Sequence, residues 1–431
     1  MTTPLSPAHR SWRAKVFVST WLAYVGYYFC RRPFEAAKAA IGTETGWSAT
    51  QLGNIWVSYL IAYAIGQFIA SGMGTKLGPR RNVLLGMALS IAVTVAMGVT
   101  LSMPVMMGLM FVNGLSQATG WSGNVGTMAG WFHRHERGRV MGIWSTNFVT
   151  GSLASRFAMG WVLSMHAKGE AEPWRWCFYG GAIVLGVVWM QFYFLQRNRP
   201  EDVGLTPIDD PKTEVDEAEV AEPAPEGFFG LSRTAWINLL LVGGFYFFIK
   251  FIRYGVWSWS AYFMAKNFGL TGARANVYST VFDVMGALGV VTTGWMSDRF
   301  FGSRRSGVAL LMLLAMTGVT GLLMAFGGAS VGMFAVLLGL VGFTLFGPDS
   351  LLTGAGAIDI GGRQRATFTV AIISGFGGLG AVVQELVIGR LYDAKGGDLA
   401  PIFASLFGSA ALATLFCAAL VWRNQRGGRG V

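Results

Sequence analysis

The sequence predicts an all-α membrane protein whose twelve transmembrane helices form two six-helix halves. Of the 431 residues, 53% are hydrophobic and only 13% are charged, whereas about 25% of the residues in a soluble domain are charged. Apolar runs of roughly 20 residues recur along the chain, which is the length that a helix needs to cross a bilayer. The runs are continuous rather than alternating, so they favour helices over the strands of a barrel. The expected spans are residues 15–35, 52–73, 82–102, 105–131, 139–165, 175–196, 233–264, 276–297, 306–327, 331–356, 366–391 and 400–422.

Basic residues mark one side of the membrane. They precede the first span at Arg10 and follow the second, fourth and eighth spans at Arg80, Arg134 and Arg299, whereas the turn at 102–104 has none. The positive-inside rule therefore predicts that both termini are cytoplasmic. The net charge of +11 comes mostly from this pattern, so no nucleic-acid partner is expected. No cleavable signal peptide is expected, and the short termini favour a bacterial inner membrane.

One long polar segment, Arg197 to Leu231, divides the chain. It is rich in acidic residues and proline, a composition typical of a flexible linker. The expected domains are a six-helix bundle over residues 1–196, a cytoplasmic linker over 197–231 and a second six-helix bundle over 232–431.

The two halves carry related segments. Residues 71–81 after the second span align with residues 294–305 after the eighth span at an offset of about 223 positions. The same offset matches Arg31 in the first span with Arg253 in the seventh. Parallel repeats of this kind occur in transporters that bind substrate near the membrane midplane, between the halves.

The second copy of the repeated segment resembles the loop motif of the major facilitator superfamily. It contains Gly294, Asp298, Arg299 and Arg304 at the positions of Gly-x-x-x-Asp-Arg-x-x-Gly-x-Arg-Arg, whereas the first copy has Thr75 in place of the acid. The resemblance implies the major facilitator fold and a role for these four residues in conformational change. It indicates nothing about the substrate.

Ionisable residues inside the predicted spans are the main functional signal. Each costs about 2.5–3.5 kcal/mol to insert, so Arg31, Lys250, Arg253 and Asp283 require a reason, with Arg156 a secondary case. If the repeat holds, Arg31 and Arg253 face each other across a central cavity and repel unless an anion lies between them. A guanidinium fork matches phosphate oxygens, so the pair predicts an oxyanion substrate.

Structural interpretations of the same cations remain open. Arg31 could be an interfacial residue whose side chain reaches the headgroups, and Arg32 beside it is expected at the interface. Arg253 could serve only as an ion-pair partner of Asp283. Lys250 could be a third phosphate ligand or could be neutralised by Asp283.

Further residues are expected to line the cavity. Asp349 follows a proline in the tenth span, so it could either face the cavity or cap a broken helix. Tyr24 and Tyr28 lie one turn apart before Arg31, and they could donate to substrate or form an aromatic packing stripe. The remaining expected cavity residues are the amides Asn113, Gln117 and Asn147.

Several functional classes are not expected. The run Gly375 to Gly380 is interpreted as a helix-packing surface, because no strand precedes it as a nucleotide-binding loop requires. The chain has no recognisable hydrolytic constellation, metal-ligand set or ATP motif, so neither an enzyme nor a cofactor is expected. Cys30, Cys177 and Cys417 are interpreted as buried, inert thiols.

The chain as a whole resembles the organophosphate:phosphate antiporter family of the major facilitators. The resemblance is carried by Tyr27-Tyr-Phe-Cys-Arg-Arg-Pro-Phe34, Asn113-Gly-Leu-Ser-Gln-Ala-Thr-Gly-Trp121, Arg199-Pro-Glu-Asp-Val-Gly-Leu205, Arg253-Tyr-Gly-Val-Trp-Ser-Trp259, Gly294-Trp-Met-Ser-Asp298 and Phe346-Gly-Pro348. It implies that Arg31 and Arg253 bind phosphate, that Asp283 is the family's helix-eight acid and that Tyr24 and Tyr28 line the site.

The chain also departs from this family. Gln67 stands where several members have lysine, and Phe148 stands where glycerol-3-phosphate carriers have histidine. Lys250 could supply the missing positive charge. The missing histidine favours a sugar phosphate or another anion over glycerol 3-phosphate.

These observations predict a secondary transporter that exchanges an organic phosphate ester for inorganic phosphate, with the bilayer as its surroundings and a monomer as the simplest assembly. Repulsion between the cavity cations would disfavour closure of the empty carrier and so enforce exchange. Two alternatives remain: a membrane sensor of external sugar phosphate, and a carrier of another organic anion that is proton-coupled through Asp283 or Asp349.

Overall fold

The helices of this computed structural model follow the order of the predicted spans. The structure describes residues 6–133, 136, 140–141, 143–166, 171–208, 233–300, 305–350 and 356–425. The described residues of 1–47 and 54–216 form one compact unit, and those of 48–53 and 217–431 form a second. The division at residues 196 and 231 stays a prediction.

The helices before the acidic segment are α1 Pro7–Thr45, α2 Ala49–Leu77, α3 Pro79–Val99, α4 Met103–Gln117, α5 Thr119–Trp131, α6 Thr146–Leu163 and α7 Arg175–Leu195, followed by a 3-10 turn at Pro200–Val203. The later helices are α8 Arg233–Lys266, α9 Gly272–Ser279, α10 Val281–Phe300, α11 Arg305–Phe326, α12 Val331–Ser350, α13 Gly356–Ala394 and α14 Ala400–Gln425.

Length and composition agree with a membrane protein. Within the described ranges, eight helices are long and apolar enough to span a bilayer: α3, α7, α8, α11, α12 and α14, residues 272–296 across α9 and α10, and residues 372–394 of α13. The predicted fourth span is divided at Ala118 into α4 and α5, each shorter than 18 residues. The all-α membrane fold that the sequence predicts is confirmed.

Local signals explain how α1 begins and ends. The Ser6 hydroxyl accepts a hydrogen bond from the His9 backbone N–H at 3.3 Å, and Pro7 occupies the first turn, where no intrahelical donor is needed. At the other end Gly46 adopts a φ of 73°, and its N–H bonds the Gly42 carbonyl at 3.1 Å. Such a left-handed residue favours glycine. Helix α1 therefore runs for 39 residues, well beyond the expected span 15–35.

A glycine contact fixes α7 against the part of α1 that carries Arg31. Pro33 has no N–H, so the Phe29 carbonyl four residues earlier lacks its usual helical donor. A Cβ placed on Gly181 of α7 would lie 2.0 Å from that carbonyl oxygen. Only glycine permits this approach.

In the second unit α8 packs against α13 and α14, and α10 packs against α12. A Cβ at Gly380 would lie 2.1 Å from the Phe247 carbonyl oxygen, and one at Gly377 would lie 2.6 Å from the Tyr246 ring. The interpretation of residues 375–380 as a helix-packing surface is confirmed at these two positions. The three cysteines are buried and free, as expected.

The start of the predicted linker is held on the first unit. Trp131 Nε1 donates to the Arg197 carbonyl at 2.9 Å, and the Arg80 backbone N–H donates to the side chain of Asn198 at 2.8 Å. Asp202 accepts from the Asn198 N–H at 2.8 Å. These hydrogen bonds hold Arg197, Asn198 and Asp202 in place, so the start of the segment is not flexible chain, and the linker as a whole stays a prediction. Residues 209–232 lie outside the described residues.

Candidate substrate-binding site

Arg31 is oriented by a glutamine from a neighbouring helix. Its Nε donates to Gln117 Oε1 at 3.0 Å, and the Tyr59 hydroxyl donates to the same oxygen at 3.0 Å. The Gln117 amide nitrogen is held in turn by Ser90 and Asn113, each at 3.2 Å. Gln117, predicted as a cavity residue, therefore positions the guanidinium of Arg31.

The Arg31 guanidinium lies among tyrosine rings. Its central carbon is 4.9 Å from the ring centre of Tyr28, 5.1 Å from that of Tyr63 and 5.9 Å from that of Tyr59. Cation–π contacts of this kind contribute about 0.5–2 kcal/mol each. They offset part of the cost of a buried cation without neutralising its charge.

Arg31 keeps unused hydrogen-bonding capacity. Its Nη2 is buried and has no hydrogen-bond partner in the described ranges, and no carboxylate within them pairs with it. A buried polar group without a partner costs about 1–3 kcal/mol, and more when it is charged. An anion that accepts from Nη2 would recover this energy.

Tyr24 and Tyr28 are part of an aromatic cluster. Their ring centres are 6.0 Å apart, and Tyr24 also lies 5.3 Å from Trp121 and 6.0 Å from Trp144. Both tyrosines are buried. The arrangement supports the packing interpretation, and Tyr28 adds its contact with Arg31.

The predicted amides differ in their surroundings. Asn113 is fully buried and already bonded: its oxygen accepts from Ser90 at 2.7 Å, and its nitrogen donates to the Cys30 carbonyl at 2.9 Å. It therefore ties helices together. Asn147 is also fully buried, but neither its Nδ2 nor its Oδ1 bonds any described residue. Gln67 is half-buried in α2.

Arg32 is not at the interface, so that expectation is wrong. Only 2% of the residue is exposed; it forms an ion pair with Glu35 and donates to the Ser152 hydroxyl at 3.0 Å. The acid three positions later on the same helix face lets the charge be buried. Arg156, the secondary candidate, is likewise buried in α6.

In the second unit, Arg253 pairs with Asp349. Side-chain exposure is only 12% for Arg253 and 7% for Asp349. The guanidinium carbon lies 4.4 Å from the Trp257 ring centre and 4.3 Å from that of Phe346. Asp349 lies in the last turn of helix α12 as described and is the ion-pair partner of Arg253.

Asp283 and Lys250 complete the charged residues of this unit's site. Asp283 is buried and accepts from Trp257 Nε1 at 2.7 Å. Lys250 Nζ lies 4.8 Å from the Tyr246 ring centre and 5.5 Å from that of Tyr254. No described carboxylate pairs with Lys250, which favours the phosphate-ligand alternative over pairing with Asp283.

Sequence reasoning missed the aromatic partners of the cations. Tyr59 and Tyr63 reach Arg31 from α2, and Phe346 reaches Arg253 from α12. Trp257 lies four residues after Arg253, a spacing that puts both on one helix face and could have identified it. Nothing in the sequence indicates which face of α2 is turned towards Arg31.

The loop motif is only partly described. Gly294 and Arg299 lie in α10, and Asp298 is helical at its backbone. Arg304 lies outside the described residues. The role of these four residues stays a prediction.

Comparison with known proteins first identifies the class of protein. Residues 16–257 match the Major Facilitator Superfamily. The fold matches a bacterial homologue of the lysosomal transporter Spinster with a TM-score of 0.72 at 16% identity, covering 96% of each chain. It also matches a D-xylose–proton symporter with a TM-score of 0.72 at 13% identity, covering 94% of this chain and 96% of that one.

More similar relatives narrow the class. The chain is 30% identical to a glycerol-3-phosphate transporter of Bacillus subtilis, over 98% of this chain and 95% of that protein. It is 26% identical to a glucose-6-phosphate exchanger of Bos taurus, over 96% and 94% of the two chains. It is 23% identical to a probable hexose phosphate transport protein of Chlamydia pneumoniae, over 94% and 90%. The chain belongs to the organophosphate:phosphate antiporter family of the major facilitators.

Proposed function

We propose that this protein exchanges an organic phosphate ester for inorganic phosphate by alternating access. The observation that carries the proposal is the state of Arg31: buried, ringed by tyrosines, oriented by a neutral glutamine and without a carboxylate partner in the described ranges. Because Arg31 has a fixed orientation and no described carboxylate partner, it can bind an anion without first losing an ion pair. The phosphate-ester carriers among its relatives support the same chemistry.

The proposal assigns the phosphate group to Arg31 and Arg253, with Lys250 as a third cation. A guanidinium presents several N–H donors in a plane and matches phosphate oxygens pairwise. Asp349, through its pair with Arg253, and the buried Asp283 offset part of the charge of these three cations. The proposal has a single phosphate contact both arginines, as in transporters whose parallel repeats bind substrate between them.

Exchange rather than net transport follows from the same charges. The carrier without substrate leaves Arg31 without a counter-anion, so closure around an empty site would desolvate a bare cation. Phosphate or its ester removes this penalty. We therefore infer that the carrier reorients mainly when it is loaded. Net phosphate efflux from liposomes at the rate of exchange would contradict this inference.

The test is phosphate exchange by purified protein in liposomes. Vesicles loaded with unlabelled phosphate receive radiolabelled phosphate outside, and hexose phosphates, glycerol 3-phosphate and phosphoglycerate compete for uptake. The Arg31→Lys variant keeps the charge but loses the planar donor fork, so we expect exchange to fall by about 100-fold, or about 2.7 kcal/mol. The control is Arg274→Ala, which removes an exposed arginine at the start of α9.

The outcomes separate the candidates. The antiporter is supported if one ester inhibits phosphate uptake and if uptake is lost in Arg31→Lys but kept in Arg274→Ala. The inhibiting ester is then the substrate. Ester binding without exchange would support a sensor instead. Uptake driven by a pH gradient without counter-phosphate, and abolished in Asp283→Asn, would support a proton-coupled carrier.

We further propose that the protein lies in a bacterial inner membrane with both termini in the cytoplasm. The concentration of basic residues in alternate loops supports this orientation. Fusions of alkaline phosphatase and of green fluorescent protein to the C-terminus test it. Fluorescence without phosphatase activity is expected, and the reverse pattern would contradict the orientation.

A further inference from the structure

A second cationic feature lies outside the candidate site, at the start of α1. A cavity of about 350 Å³ opens there, lined by Arg10 and Arg13 and by apolar residues that include Phe17, Val18, Phe132 and Ile143. The cations come from α1, and the apolar walls come from α1, from Phe132 at the end of α5 and from Val140 and Ile143 before α6. The mechanism proposed above does not use this cavity.

The two arginines differ in how far they are satisfied. Arg13 pairs with Glu136 and stacks 4.4 Å above the Phe132 ring, yet its Nε is buried without a partner in the described ranges. Arg10 is exposed and forms no ion pair there. Counting only the described lining residues and Glu136, the cavity keeps one net positive charge and one unused buried N–H donor.

Two aliphatic side chains of the cavity walls are exposed. Val18 is 49% exposed and Ile143 is 56% exposed. From Arg10 to Phe17 is seven residues, or about 10 Å along a helix at 1.5 Å per residue. That distance matches the step from the headgroup layer of a bilayer into its hydrocarbon.

We propose that this cavity binds an anionic glycerophospholipid. The headgroup phosphate accepts from Arg10 and from Nε of Arg13, while an acyl chain lies along Phe17, Val18 and Ile143. A free phosphate ester could neutralise the charge but would leave the apolar walls exposed. A zwitterionic lipid would cover the walls but would bring no net charge to the arginines. An anionic lipid satisfies both.

Binding of lipid to the purified full-length protein tests the proposal by native mass spectrometry. The probes are dioleoyl phosphatidylglycerol and dioleoyl phosphatidylcholine, each titrated into the detergent-solubilised protein. We expect the phosphatidylglycerol to bind more tightly and to resist displacement by excess inorganic phosphate. A basic residue near the bilayer surface contributes about 1 kcal/mol to anionic-lipid binding, so Arg10→Ala should weaken it about fivefold.

The matched control is Lys15→Ala. It removes the same charge from an exposed position on the same helix, but Lys15 lies against Trp12 and does not line the cavity. A second variant, Ala14→Trp, fills the cavity without changing the charge and should reduce lipid binding while the melting temperature stays unchanged.

The results that would overturn the proposal are specific. Equal weakening by Arg10→Ala and Lys15→Ala would show a diffuse charge effect rather than a site. Equal affinity for the two lipids would exclude selection of an anionic headgroup. Unchanged lipid binding in Ala14→Trp would exclude this cavity as the binding site of the acyl chain. Displacement of the lipid by inorganic phosphate alone would assign the cavity to free anions. None of these readouts depends on transport.

Discussion

Gln117→Glu changes one atom of the residue that orients Arg31 and tests whether transport requires that cation to lack a carboxylate partner. The substitution keeps the shape of the side chain and replaces the neutral acceptor, 3.0 Å from Arg31 Nε, with a charged one. The new carboxylate would neutralise Arg31 in the empty carrier. Phosphate would then have to compete with it.

The size of the effect follows from the geometry. Two unit charges about 3 Å apart attract by about 5 kcal/mol at an effective dielectric of 20. Desolvation of the new carboxylate removes part of this gain, which leaves about 2–3 kcal/mol to oppose phosphate binding. We therefore expect the KM for phosphate exchange to rise about 30- to 150-fold. The melting temperature reports a separate effect, because the oxygen that replaces Nε2 loses the hydrogen bonds that the amide donates to Ser90 and Asn113.

Gln117→Met separates the charge effect from the loss of hydrogen bonds. It removes the acceptor for Arg31 and Tyr59 without adding charge. Because Arg31 is then oriented less well, phosphate binding should weaken by at most about 1.5–3 kcal/mol. The assay is radiolabelled phosphate exchange at several phosphate concentrations, with melting temperatures measured in the same detergent. Wild-type exchange by Gln117→Glu would refute the argument that Arg31 must stay free of a carboxylate.

Two other substitutions test packing and charge pairing. Gly181→Ala places a methyl group 2.0 Å from the Phe29 carbonyl, so it should destabilise the protein by about 1–3 kcal/mol, seen as a lower melting temperature. Gly180→Ala, with no atom within 4 Å, is the matched control, and an equal effect of both would contradict the close contact. Asp349→Asn leaves Arg253 without its carboxylate, so the melting temperature should fall and added phosphate should raise it more than in the wild type. An unchanged response to phosphate would argue against substrate binding at Arg253.

The sequence is sufficient for the fold because the signals along it are one-dimensional. Apolar runs of bilayer length, loop charges and the repeated segment can each be recognised from short stretches of sequence. Together they predict a helical membrane protein in two related halves. Boundaries are less well predicted. Helix α1 extends from Pro7 to Thr45 because its ends are set by Ser6 and Gly46 rather than by hydropathy.

The cations of the site are also visible in the sequence, since charges in apolar spans are rare. Their partners are less visible, because partner choice depends on helix rotation and packing. Asp283 was one possible ion-pair partner of Arg253, and the structure shows an ion pair with Asp349 from α12. Arg32 was expected at the interface although Glu35, one turn later on the same helix, was a local signal for burial.

The two arginines of the candidate site differ in one respect that bears on transport. Arg31 is held by a neutral amide, whereas Arg253 is held by the carboxylate of Asp349. An incoming phosphate therefore gains interactions at Arg31 without displacing a charge, but at Arg253 it must compete with Asp349. Under the proposed function, binding at Arg31 comes first and exchange of partners at Arg253 follows. Replacement of Asp349 by phosphate at Arg253 costs little free energy only when phosphate is already bound to Arg31. Under this proposal, closure of the carrier therefore requires bound substrate.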